Sequence, residues 1–108
     1  MRRRDYFAAA ALLTLASLTP ARAQTIVKIP AVLELSGAGA ISGTNFRDGL
    51  ALAIEDINAS GGILGKKLTL DVVDTASDAG QARAAVQRVL ADKPPVIFGP
   101  IFSGSVNA

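Results

Sequence analysis

The chain has 108 residues, 50% of them hydrophobic, with 11 Lys+Arg against 9 Asp+Glu and neither Cys nor His. Without Cys and His it lacks the usual zinc, iron and copper ligands, the Ser-His-Asp and Cys-His catalytic sets, and any disulfide or lipid-bearing cysteine. Arg2, Arg3, Arg4, Asp5 and Arg22 all fall in the first 23 positions, so the remainder carries 7 basic and 8 acidic side chains, and no clustered basic face is left for a nucleic-acid partner.

Residues 1–23 read as a cleavable secretory signal, with a basic start, an apolar middle over residues 7–18, and the small-residue ending Ala21-Arg22-Ala23. The apolar middle is shorter than the roughly 20 residues of a bilayer span, so a periplasmic product without a permanent membrane anchor is expected. Arg3-Arg4-Asp5-Tyr6-Phe7 fits a twin-arginine signal, and adjacent arginines also occur in ordinary Sec signals; both routes stay open. One domain boundary is drawn, between Ala23 and Gln24. Residues 24–108 suffice for one small core but are short for an open sheet covered on both faces, so the chain is expected to be the N-terminal part of a longer protein.

Residues 26–35 form an apolar run with β-branched members and predict a first strand buried on both faces. Pro30 cannot donate to a ladder, which predicts a bulge, a late start or a missing bond there. Residues 36–43 are a glycine-rich loop, and from about Thr44 the residues Phe46, Leu50, Ala53, Ile54 and Ile57 recur at helical spacing. Ser60-Gly61-Gly62 ends that helix. Residues 67–74 predict a second strand, and Asp78 with Gln81 three positions on predicts an N-cap. The helix behind it carries Ala82, Ala85, Val86, Val89 and Leu90 on one face, and Pro94-Pro95 stops it. Residues 96–98 predict a short third strand, and residues 99–105 a second Gly/Ser loop that opens a third helix. The order β-α-β-α-β-(α) predicts an α/β fold with an open parallel sheet.

In a sheet of order 2-1-3 the loops at residues 36–43 and 99–105 flank the switch point, where such sheets bind ligands. If Ser103, Gly104 and Ser105 begin a helix, their free N–H groups favour an anion, a carboxylate being the simplest; the serines could equally serve as helix caps alone. Gly37, Gly39 and Gly43 imitate a dinucleotide fingerprint with one extra spacer, but Asp71 and Asp74 come too late to serve as its acid. That pattern leaves an exported nucleotide-dependent oxidoreductase as an alternative to a binding protein. Gly62 to Lys67 lacks the Ser/Thr and the helix of a phosphate loop. The pair Glu55-Asp56 and the acids Asp71 and Asp74 read as solvated faces and turn residues rather than general acids or bases.

Three stretches together carry a family resemblance: Ile29-Pro30-Ala31-Val32-Leu33-Glu34-Leu35-Ser36-Gly37, the turn Ile57-Asn58-Ala59-Ser60-Gly61-Gly62-Ile63-Leu64-Gly65, and Phe98-Gly99-Pro100-Ile101-Phe102-Ser103-Gly104-Ser105. With Asn45 to Gly49 and Asp74, they resemble the first lobe of the leucine/branched-chain amino-acid binding proteins. That resemblance implies a two-lobed periplasmic receptor that closes on a small solute and passes it to the membrane permease of an ABC importer, with no cofactor and no enzymatic activity. A ligand-sensing lobe of a signalling receptor would share the same start. The resemblance also implies site residues: Ser103 holds the ligand carboxylate through its hydroxyl and N–H, Ile101 and Phe102 line the pocket, and Gly104 and Ser105 complete the loop. Ser42 falls where many relatives place an aromatic ring over the ligand side chain, and this departure counts against leucine-like specificity.

Overall fold

The computed structural model describes residues 24–108, so the expected signal segment and the boundary at Ala23/Gln24 lie outside the described residues. Strand β1 (Ile26–Leu33) pairs in parallel with β2 (Lys67–Asp74), from Ile26 opposite Lys67 to Leu33 opposite Asp74. Between them run a single 3-10 turn (Gly37–Gly39) and helix α1 (Ala40–Ala59); helix α2 (Ala79–Leu90) follows β2, and a short α3 (Ser103–Val106) follows the third strand position. This is the expected start of an open parallel α/β sheet.

Side chains of a strand alternate between the two faces of a sheet. Ile29 and Leu68 face an apolar groove with Leu50, Ile54 and Ile57 of α1, whereas Pro30 and Asp71 lie by Val89 near the end of α2. The two helices therefore cover opposite faces. Small residues set the depth of the second contact: Ala82 and Ala85 are buried, which lets α2 approach the sheet closely. The core is the later half of β1, where Ala31, Val32 and Leu33 are fully buried.

The third strand is reduced to one residue. Phe98 bridges Ala31 on the side away from β2, its N–H donating to the Pro30 carbonyl (3.0 Å) and its carbonyl accepting from Val32 N–H (2.8 Å). Spatial order is thus 2-1-3, as expected, but the predicted strand at residues 96–98 does not extend back to Val96. Pro30 gives the physical reason. Its nitrogen points to that same side and has no hydrogen to give, so the bond that would pair Val96 cannot form. This is the missing bond among the three outcomes expected for Pro30, since its register with Asp71 is continuous.

Helix α1 begins at Ala40, earlier than the expected Thr44, so the second half of the predicted glycine loop is helical. Gly43 explains this. It is the one buried residue of α1, and a Cβ there would collide with the Glu34 carbonyl, so only glycine lets the helix start against the end of β1. The apolar stripe of α1 is less covered than its periodicity predicts: Phe46 is 41% exposed, Ala53 is exposed, and Leu50, Ile54 and Ile57 are half-buried. Leu90, expected on the buried face of α2, is likewise exposed, because the helix ends there and the chain turns away through Ala91 and Asp92.

Asn58 secures the outer edge of β2. Its side-chain oxygen accepts from Leu68 N–H (2.8 Å) and its amide donates to the Leu68 carbonyl (2.8 Å), imitating a neighbouring strand at an edge where the described residues supply none. Asp78 caps α2 as predicted, accepting from Gln81 N–H at 2.7 Å.

Candidate functional site

Parallel strands bring all their carboxyl ends to one rim, and here three connections meet on it: residues 34–39, 75–78 and 99–102. Two side chains tie the first connection to the second. Asp74, the last residue of β2, takes Leu35 N–H (2.9 Å), Ser36 N–H (3.2 Å) and Ala76 N–H (2.8 Å) on Oδ1 and the Ser36 hydroxyl (2.7 Å) on Oδ2. The Ser36 hydroxyl bond, followed by the Ala76 N–H, holds the Asp74 carboxyl below its ordinary value of 3.8, against a smaller opposing effect of burial. Ser77 then donates its hydroxyl to the Ser36 carbonyl (2.6 Å) and accepts Gly39 N–H (2.9 Å).

Glu34 ties the first connection to the third. It is fully buried, and its two carboxylate oxygens accept Ile101 N–H (3.1 Å) and Phe102 N–H (3.3 Å). The turn beside it is shaped to hold it: a Cβ on Gly39 would lie 2.6 Å from Glu34 Cβ and 3.0 Å from the Phe102 ring. Gly99, at φ +84, adopts a conformation that L side chains rarely reach, and a Cβ there would strike the Val32 carbonyl.

Between the start of α2 and the third connection lies a shallow, open cleft of about 500 Å³, lined by Ser77, Ala79 and residues 101–105. Ile101, Phe102, Ser103, Gly104 and Ser105, five consecutive residues of one loop, form one side of this lining. Ser42 does not join them; it sits exposed in the first turn of α1, outside that lining. Ser77 and Ala79 were not singled out from sequence, although the serine one residue before the Asp78 cap was the available signal.

In the loop at residues 36–43, Ser36 and Gly39 donate to Asp74 and Ser77, and Ala40 N–H closes on the Gly37 carbonyl, so these three amides are taken up inside the protein. One expectation about free amides needs correction. Ser105 N–H donates to the Phe102 carbonyl (2.9 Å), and Ser105 itself is buried, so its amide is not available either. The backbone N–H groups of Ser103 and Gly104 have no acceptor among the described residues. With the exposed Ser103 side chain, they are the polar groups this loop can turn toward a small molecule.

Gly37, Gly39 and Gly43 face other parts of the protein, namely Ala76 and Ser77, then Glu34 and Phe102, then the Glu34 backbone. Their spacing reflects close packing, which removes the support they lent to a dinucleotide loop. Among the described residues no group of three or more Asp, Glu, His or Cys is placed to hold a metal ion, and no helix is long and apolar enough to cross a membrane.

The family model described as periplasmic binding protein matches residues 26–108, and the chain belongs to that family of substrate-binding transport proteins. Within it, the similarities run to branched-chain amino-acid binding members. The Leu/Ile/Val-binding protein BraC3 of Rhizobium johnstonii is 33% identical over 78 residues, covering 72% of this chain and 21% of that protein. Leu/Ile/Val-binding protein homolog 7 of Brucella suis is 35% identical over 97 residues, covering 87% and 23%. The crystal structure of the branched-chain amino acid transporter substrate binding protein LivJ from Streptococcus pneumoniae, in complex with isoleucine, superposes with a TM-score of 0.72 at 32% identity, covering 76% of this chain and 24% of that one. The chain thus spans less than a quarter of the length of each of these three relatives.

Proposed function

We propose that this chain is the opening part of the first lobe of a non-enzymatic periplasmic receptor. Its ligand is a branched-chain amino acid or a related small organic solute, held by its carboxylate and delivered to the membrane permease of an ABC importer. One observation supports this most directly: five of the six residues the sequence implicates line a single cleft at the carboxyl rim of a parallel sheet, where such folds take their ligands. In this role Ser103 supplies a hydroxyl and an N–H to the carboxylate, Gly104 a second N–H, and Ile101 and Phe102 the apolar wall.

A hydrogen bond to a charged group contributes about 1.5–3 kcal/mol. Ser103→Ala in the full-length receptor is therefore expected to weaken isoleucine binding by roughly 10- to 100-fold in calorimetry. Unchanged affinity would remove Ser103 from the site. The oxidoreductase alternative gains nothing from the rim, since its three glycines pack against protein.

A further inference from the structure

We infer that Glu34 is a positioning residue for the ligand loop: a buried carboxylate that holds the Ile101-Phe102 backbone so that Ser103 is presented to the cleft. The inference rests on the receptor reading above for what Ser103 does, but the anchor itself stands on geometry. Glu34 has no exposed surface, and both its oxygens are engaged by consecutive backbone amides that lie 67 and 68 residues away in sequence. The next residue in the chain is Ser103.

Burying a carboxylate is costly unless it is well paired. Among the described residues no salt bridge reaches Glu34; its compensation comes from the two N–H groups of the ligand loop. That arrangement works in both directions. The amides stabilise the charge, and the charge fixes two successive peptide planes, which leaves the following residue little freedom. Charge-assisted hydrogen bonds of this kind are about twice as strong as neutral ones. The surroundings are adapted to it as well, because side chains at Gly39 and Gly43 would overlap with Glu34.

The arrangement also divides the donors of this loop by task. Ile101 and Phe102 contribute side chains to the cleft while their N–H groups point inward to Glu34. Ser103 and Gly104 keep their N–H groups for what lies outside. A ligand carboxylate is thereby restricted to the Ser103 end of the loop.

Two arms test this in the full-length receptor. In the ligand-free wild type, residue-level amide exchange should be slow at Ile101 and Phe102 and fast at Ser103 and Gly104; fast exchange at 101 and 102 would overturn the anchor, whatever the ligand is. In the second arm, Glu34→Gln puts an NH₂ group against a donor, and isoleucine affinity should fall by about tenfold. Combined with Ser103→Ala, the losses should be clearly less than multiplicative, since a misplaced hydroxyl and an absent one have the same consequence. Multiplicative losses, or unchanged isoleucine affinity in Glu34→Gln, would reduce Glu34 to a structural residue. Should Glu34→Gln not fold, Glu34→Asp keeps the charge on a shorter arm and should show a smaller loss with the same coupling. A wild type that ignores isoleucine would count against the branched-chain ligand of the receptor reading alone, and the exchange arm would still decide the anchor.

Discussion

At the scale of single residues, the rim is organised by acids that work as acceptors inside the protein. Asp74 collects four donors from two connections, and its lowered pKa has a consequence for stability. A folded-state pKa below the unfolded value contributes stability that is present above the unfolded value and is lost as pH falls through the folded one. Asp74 therefore stabilises the rim at neutral pH and releases it only below about pH 4. Asp74→Asn should cost on the order of 1 kcal/mol at pH 7, exposure to solvent keeping it at the low end, and should flatten the acid limb of a pH series of thermal melts. A parallel acid limb in the variant would contradict this. The roles of Asp74 and Glu34 were not legible in the sequence, where they read as a turn residue and part of a strand. Their partners lie up to 68 residues away, and no local pattern encodes such pairs.

Elements with local causes were legible. The cap of α2 follows from Asp78 and Gln81 three positions apart, and both strands follow from their apolar, β-branched runs. The start of α1 was not legible, because the glycines that composition assigns to a loop are required by a close approach of helix to strand. The third strand was misjudged in length, although Pro30 announced the missing bond. Asn58 belongs to this scale too, since one side chain substitutes for a strand along the edge of β2. Asn58→Leu should destabilise the fold by about 1–3 kcal/mol through the unpaired N–H and carbonyl of Leu68. Asn58→Asp should do so as well, because it keeps the acceptor but turns a second one toward the carbonyl. Denaturant midpoints of the two variants check this, and midpoints at the wild-type value would show the edge to be satisfied without Asn58.

At the scale of the whole molecule, the described residues form a parallel sheet with helices on both faces and a shallow cleft at its carboxyl rim. The half-exposed stripe of α1 and the groove of about 230 Å³ beside it are apolar surface without cover among the described residues. Of the six site residues expected from sequence, the five in residues 101–105 share a cleft because they are consecutive in one loop that the topology brings to the rim, and Ser42 lies outside that lining. The donor economy of the site was not legible, since it depends on which amides Glu34, Asp74 and Ser77 occupy. The most direct test of the account is a titration of isotope-labelled full-length receptor with isoleucine, leucine and valine, followed by amide chemical shifts. Perturbations concentrated at Ser77, Ser103, Gly104 and Ser105 are the expected result. Shifts confined to the opposite rim, around Lys28 and Asp92, would contradict it, and no response to any of the three would remove the branched-chain amino acids as ligands.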